Sequence, residues 1–157
     1  MFMRKKREGF TLVELLIVMA VIAALMGALV PVAINAIKHA NATRVAENLQ
    51  SLVTQVQQYA YSEHALPSMS ELATSVSGGN TSDYVIYGGN SPSSFTITTP
   101  STITNPLTYF AVVYTGGGVT AADVHNVWSG AATSTCSATS GAVVGTVMAT
   151  GVINKYW

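Results

Sequence analysis

Residues 15 to 34 form a run of 20 side chains without formal charge, and Arg4-Lys5-Lys6-Arg7 sits a short way ahead of it. At about 1.5 Å per residue, a helix of that length spans roughly 30 Å, one bilayer core. Glu14 is the single charged side chain between Glu8 and Lys38. An acid at the edge of such a span is costly, so it marks a functional position by default, usually through a partner charge. The plainer reading is that Glu14 lies near enough to the interface to reach water. The basic run should stay cytoplasmic, which places the rest of the chain outside.

Three readings of this segment compete. A plain single-pass anchor tolerates these residues but gives no reason for Glu14. A secretory signal peptide could be cut at Ala40-Asn41-Ala42, yet its apolar region would be too long, and Asn35, Lys38 and His39 intervene. The third reading rests on Gly9-Phe10-Thr11-Leu12-Val13-Glu14, set behind a short basic leader and ahead of about twenty apolar residues. That arrangement closely resembles the N-terminus of type IV pilins and pseudopilins, and Pro31 falls where many of them carry a proline. The resemblance covers residues 4 to 64 and says little beyond.

The resemblance implies cleavage between Gly9 and Phe10 by prepilin peptidase, followed by methylation of the new Phe10 amine. A glycine before the scissile bond lets the backbone lie close to a protease. Cleavage removes all four leader cations, so the helix is no longer pinned in the bilayer by them. The resemblance also implies that Glu14 pairs with the terminal amine of a neighbouring subunit. Such a pair would offset a desolvation cost of about several kcal/mol. Pro31 removes a helical hydrogen bond and Gly27 weakens the preceding turn, so a kink or local unwinding is expected there. An ordinary kinked membrane helix is the plainer account. Ala23 stands where the family often has a second glycine.

Beyond the anchor, Val45, Leu49, Leu52, Val56 and Tyr59 recur at helical spacing, with Arg44, Glu47, Gln50, Gln55 and Gln58 on the other faces. The helix is therefore expected to run to Ser62 or Glu63, roughly 80 Å from Phe10. Its second half should carry a domain on the apolar stripe. Leu66-Pro67 ends it, and Ser68-Met69-Ser70-Glu71 matches a capping box opening a short helix closed by Gly78-Gly79. Strands are expected at Tyr84 to Tyr87, Phe95 to Thr99 and Tyr109 to Tyr114, and again at Val143 to Thr150 and Val152 to Trp157. Gly88-Gly89-Asn90, Gly116-Gly117-Gly118 and Ser140-Gly141 read as turns, and 129 to 142 as a mobile surface loop. The tyrosines 59, 61, 84, 87, 109 and 114 are expected between helix and sheet.

The expected fold is α+β: a long N-terminal helix, membrane-spanning then amphipathic, with a small antiparallel sheet packed on its second half. Four segments follow: a leader at 1–9, a membrane or filament-core half at 10–37, an amphipathic half at 38–64 and a β-rich head at 65–157.

Composition narrows the chemistry. From Phe10 onward, Lys38, Arg44 and Lys155 face Glu14, Glu47, Glu63, Glu71, Asp83 and Asp123. Nucleic-acid binding needs a basic footprint, so no direct contact with nucleic acid is expected. Cys136 has no mate for a disulfide, and Asp123 is isolated, so no calcium site is read there. His39, His64 and His125 form no ligand pair at helical spacing. Gly116 to Gly118 lack the lysine of a phosphate loop. Asn41-Ala42-Thr43 and Asn80-Thr81-Ser82 match the acceptor pattern for Asn-linked sugar, a short pattern that recurs by chance. Ser/Thr-linked sugar on 91 to 104 is a further expectation. No catalytic residue, metal or cofactor is expected.

The function expected is that of a type IV pilin, polymerising through its N-terminal helix in motility, adhesion or DNA uptake. The alternatives are a pseudopilin of a secretion or competence machine and a minor tip pilin with a binding role. The implied partners are other pilin subunits, prepilin peptidase, an inner-membrane assembly platform with cytoplasmic ATPases, and lipid before assembly. Such a chain is a single-pass inner-membrane protein first and part of a cell-surface pilus afterwards.

Overall fold

The computed structural model describes residues 10–72, 76–77, 80–91, 95, 97–98, 101–132 and 147–156. It is an α+β fold. Helix α1 runs Leu12–Glu63, with Pro31 inside it. The chain divides into two compact units, Met1–Ile37 and Lys38–Trp157.

In the second unit, α1 buries Ala42, Val45, Ala46, Asn48, Leu49, Leu52, Val56 and Ala60. The expected stripe is there, with one correction at its end. Ala60 is fully buried whereas Tyr59 is only partly so, its hydroxyl donating to Glu71 Oε1 at 2.9 Å. The helix stops at His64, whose φ of 57° is left-handed, and Pro67 follows three residues on. A proline is common just past a helix end because it cannot continue it.

Two sheets follow. Strand β1 (Ala65–Leu66) pairs antiparallel with β4 (Ser101–Thr102). The larger sheet has the order β3-β2-β5-β7-β6 and is antiparallel throughout. Its strands are β2 (Tyr84–Gly89), β3 (Ile97–Thr98), β5 (Leu107–Tyr114), β6 (Ala131–Ala132) and β7 (Val147–Asn154). β5 is central, with Tyr84 to Gly89 aligned on Tyr114 to Tyr109 and Leu107 to Tyr114 aligned on Asn154 to Val147.

The inner face of this sheet, with Tyr84, Ile86, Phe110, Val112, Tyr114, Val147, Ala149 and Ile153, shares one core with the buried stripe of α1. Ala111, Val113 and Met148 point the other way and form a second cluster with Phe95, Tyr87, Tyr109 and Ala132. β5 is thus covered on both faces from Phe110 to Tyr114, which is why its sequence is a continuous apolar run rather than an alternation. The tyrosines divide accordingly. Tyr84 and Tyr114 lie between helix and sheet, their ring centroids 5.2 Å apart. Tyr87 and Tyr109 pack on the opposite face, and Tyr61 is exposed.

Several elements differ from the sequence reading. Gly88 and Gly89 are strand residues opposite Phe110 and Tyr109, not a turn. β7 runs unbroken through Gly151, where two strands were expected. The Phe110 ring lies where a Cβ on Gly151 would be, so the glycine gives the ring room instead of ending the strand. Ser68 and Glu71 make their cap hydrogen bonds, Ser68 N to Glu71 Oε2 at 2.6 Å and Ser68 Oγ to the same oxygen at 2.9 Å. They close a turn rather than a helix over the residues described up to Leu72. Helix α2 (Ala121–Val127) was not expected, nor was β6 inside the segment read as a loop. The Gly116 to Gly118 segment is a turn, with Gly118 at φ +85°. Gly78-Gly79, Cys136, Ser140-Gly141, Val143 to Thr146 and Trp157 lie outside the described residues, as do parts of 91 to 104.

Candidate functional site

The helix is capped at its first turn. Thr11 Oγ1 accepts the Glu14 backbone N–H at 3.3 Å, and Glu14 Oε2 accepts the Thr11 N–H and the Thr11 hydroxyl, each at 2.8 Å. This is a capping box: each side chain satisfies a backbone donor that the helix start leaves without a partner. The sequence Thr-x-x-Glu ahead of an apolar run carries that signal, and the charge-based reading of Glu14 passed over it. Glu14 therefore has a local structural role whatever else it does. Its Oε1 has no hydrogen-bond partner among the described residues.

From Phe10 to Ile37 every residue is exposed, including Phe10 at 86% and Leu12 at 87%. The exposed set includes Leu15, Leu16, Ile17, Val21, Ile22, Leu25, Leu29 and Ile34, distributed around the whole helix. A helix apolar on all sides needs a surrounding of lipid or protein. This one is long and apolar enough to cross a membrane. Pro31 sits within it, and the backbone is helical on both sides of the proline. Gly9 and the basic leader lie outside the described residues.

The polar features of the second unit are mainly structural. Thr120 caps α2 through a second capping box: its hydroxyl and N–H donate to Asp123 Oδ2 at 2.6 and 3.0 Å. Those two donors hold the Asp123 carboxyl below its ordinary range. His125 Nδ1 lies 2.7 Å from Ala131 O, which ties α2 to β6. His39 lies beside Thr43 one turn along α1. Among the described residues no three His, Cys, Asp or Glu side chains converge on a point where a metal could sit. Among the described residues, one shallow groove runs along Glu47, Gln50, Thr54 and Gln58, and another, more apolar, lies between Lys38 and the Gly116–Asp123 segment. The Thr120 hydroxyl and the Asp123 carboxylate of the second are taken up by the α2 cap.

The element that stands out is thus the exposed apolar helix with its capped start. No curated protein and no solved structure gives a match to this chain. Residues 4–30 match the family described as Prokaryotic N-terminal methylation motif, and the chain carries by that match the signature of type IV pilins and pseudopilins.

Proposed function

We propose that this chain is a structural subunit of a type IV pilus, made as a membrane-anchored precursor and built into a filament through residues 10–37. The observation that carries the reading is the coincidence of the methylation motif with a fully exposed apolar helix. Prepilin peptidase cuts between Gly9 and Phe10, removing the leader at 1–9, and the Phe10 amine is methylated. Lipid surrounds the helix before assembly, and the same helices of other copies surround it afterwards. Residues 38–64 carry the head formed by 65–157. Glu14 pairs through its free Oε1 with the Phe10 amine of a neighbouring copy, while Oε2 keeps the cap. Pro31 leaves a carbonyl one turn earlier without its usual donor, giving the helix a point where it can bend as copies pack. Nothing in this role requires a catalytic residue, and an inner-membrane platform with cytoplasmic ATPases drives assembly.

The test is mass spectrometry of the membrane-extracted protein and of filaments sheared from cells. The expected mature chain starts at Phe10 with one added methyl and dominates the sheared fraction. A start at Met1 or after Ala42 would overturn the reading. A processed chain that stays in the envelope and never enters sheared filaments would make it a pseudopilin instead.

A further inference from the structure

Two Asn-x-Ser/Thr sequences, Asn41-Ala42-Thr43 and Asn80-Thr81-Ser82, have no part in the role proposed above. This pattern is the acceptor for Asn-linked sugar, and it serves as one only on an accessible loop of an exported chain. The fold treats the two in opposite ways. Residues 41 to 43 lie inside α1, Ala42 is 1% exposed in the core, and the Thr43 hydroxyl donates to His39 O at 3.0 Å. Presenting that Asn to a transferase would mean unwinding α1 and drawing Ala42 out of the core.

Asn80 is presented already. It and Ser82 are both exposed, and Asn80 is extended, with φ −84° and ψ 125°, ahead of a 3-10 turn at Thr81–Asp83. An asparagine at this position ordinarily folds its carboxamide back onto the N–H groups of the turn. Here it makes no such cap hydrogen bond. The backbone closes the turn without it, Asp83 N–H donating to Asn80 O at 3.0 Å and Tyr84 N–H to Thr81 O. Thr115 N–H then ties Asp83 O to the end of β5 at 2.7 Å, and Tyr84 is buried beneath. A firmly held turn thus offers an exposed asparagine whose carboxamide is not used to cap it among the described residues.

We propose that Asn80 is an N-glycosylation site, loaded from a lipid-diphosphate-linked sugar donor outside the cytoplasm. The Asn80 Nδ2 forms the bond to the anomeric carbon as the bond from that carbon to the donor's phosphate oxygen breaks. The lipid diphosphate leaves with the bonding electron pair, and Nδ2 gives up one proton. The assignment rests on the reading that places the head outside the cytoplasm.

The test uses the full-length chain from its own cells. Chymotryptic cleavage after Leu72 and Tyr84 gives a peptide carrying Asn80, and electron-transfer fragmentation should place a sugar mass on that residue. Asn41 should be bare. Asn80→Gln and Ser82→Ala should each abolish the modification, and Ser82→Thr should keep it. A sugar mass that survives Asn80→Gln would be hydroxyl-linked and would overturn the assignment, as would a bare Asn80. Protease added to spheroplasts, in which the outer face of the inner membrane is open, shows which premise failed. A bare Asn80 on a head that the protease reaches removes only the acceptor site; on a protected head it removes the topology as well.

Discussion

Glu14 Oε2 accepts two hydrogen bonds from Thr11, from its N–H and from its hydroxyl, each at 2.8 Å. The single acid of the apolar segment is therefore also the closing piece of the first helical turn. Cap and charge can be separated by substitution. Glu14→Gln keeps an oxygen able to accept from Thr11 and loses the charge. Glu14→Leu loses both, and the cap is worth about 0.5–2 kcal/mol. Both variants should insert in the membrane at least as well as the parent, and neither should form filaments as the sole subunit. Sheared-filament yield against membrane content is the measurement. Filaments from Glu14→Gln but not from Glu14→Leu would assign the requirement to the cap and end the charge-pairing proposal.

Leu52 is fully buried where α1 meets the sheet. Leu52→Ala should cost about 2–5 kcal/mol, read by urea unfolding of a soluble fragment starting at Lys38. A fragment starting at Ala65 lacks the helical side of the core and should aggregate or stay unfolded. Equal stability of the two fragments would show that the sheet stands without α1.

Asn48 is the buried polar residue of the α1 stripe. Its Nδ2 donates to Ser77 O at 3.2 Å and to the Tyr84 hydroxyl at 3.1 Å, and its Oδ1 accepts the Ser77 N–H at 3.1 Å. Ser77 is exposed and can turn to water, but the Tyr84 hydroxyl is enclosed. Asn48→Leu should therefore cost about 1–3 kcal/mol, the penalty for one unpaired buried group rather than three. Hydrogen exchange at Ser77 should rise at the same time, since its tether to the helix is gone.

The Glu71 carboxyl is held below its ordinary range by the Ser68 N–H, then the Ser68 hydroxyl, then the Tyr59 hydroxyl. The same hydrogen bond pushes the Tyr59 hydroxyl up. A depressed carboxyl contributes stability above its unfolded value, and that contribution fades as pH falls through the folded one. The Lys38 fragment should thus weaken in acid, below the ordinary carboxylate value of 4.5. Glu71→Gln should flatten part of that dependence while leaving the neutral-pH fold intact. Asp123, depressed in the same sense by Thr120, should account for a further part. An unchanged acid profile in Glu71→Gln would show that solvent screening cancels the hydrogen bonds at this exposed site.

The legible parts of the chain were those with a strong period or a long apolar run. Leu49, Leu52 and Val56 announce the buried side of α1, and Tyr109 to Tyr114 announces β5. The end of the stripe was misread because large side chains draw the eye. The true face is flanked by Ala42, Ala46 and Ala60, small residues that carry little signal, while Tyr59 turns its hydroxyl to Glu71. β1, β4 and β6 have two residues each, too few to show alternation. Both capping boxes among the described residues, Thr11 to Glu14 and Thr120 to Asp123, are readable in the sequence and absent from its reading above. At the first, the cost of an acid in lipid masks the plainer signal of a helix start.

The pairing of Phe110 with Gly151 acts on how the molecule comes together. In synthesis order β2 and β5 are complete before β7 emerges, so one whole side of β5 waits with its hydrogen-bonding groups open. An open strand side invites any extended chain to add to it, in any alignment. Sliding β7 by two residues would keep its faces correct, but would set Ala149 or Ile153 against the Phe110 ring. Only glycine leaves that space, so a Gly151→Val chain should close the sheet late or out of step and collect as aggregate. A position with no side chain thus tells the arriving strand where to stop.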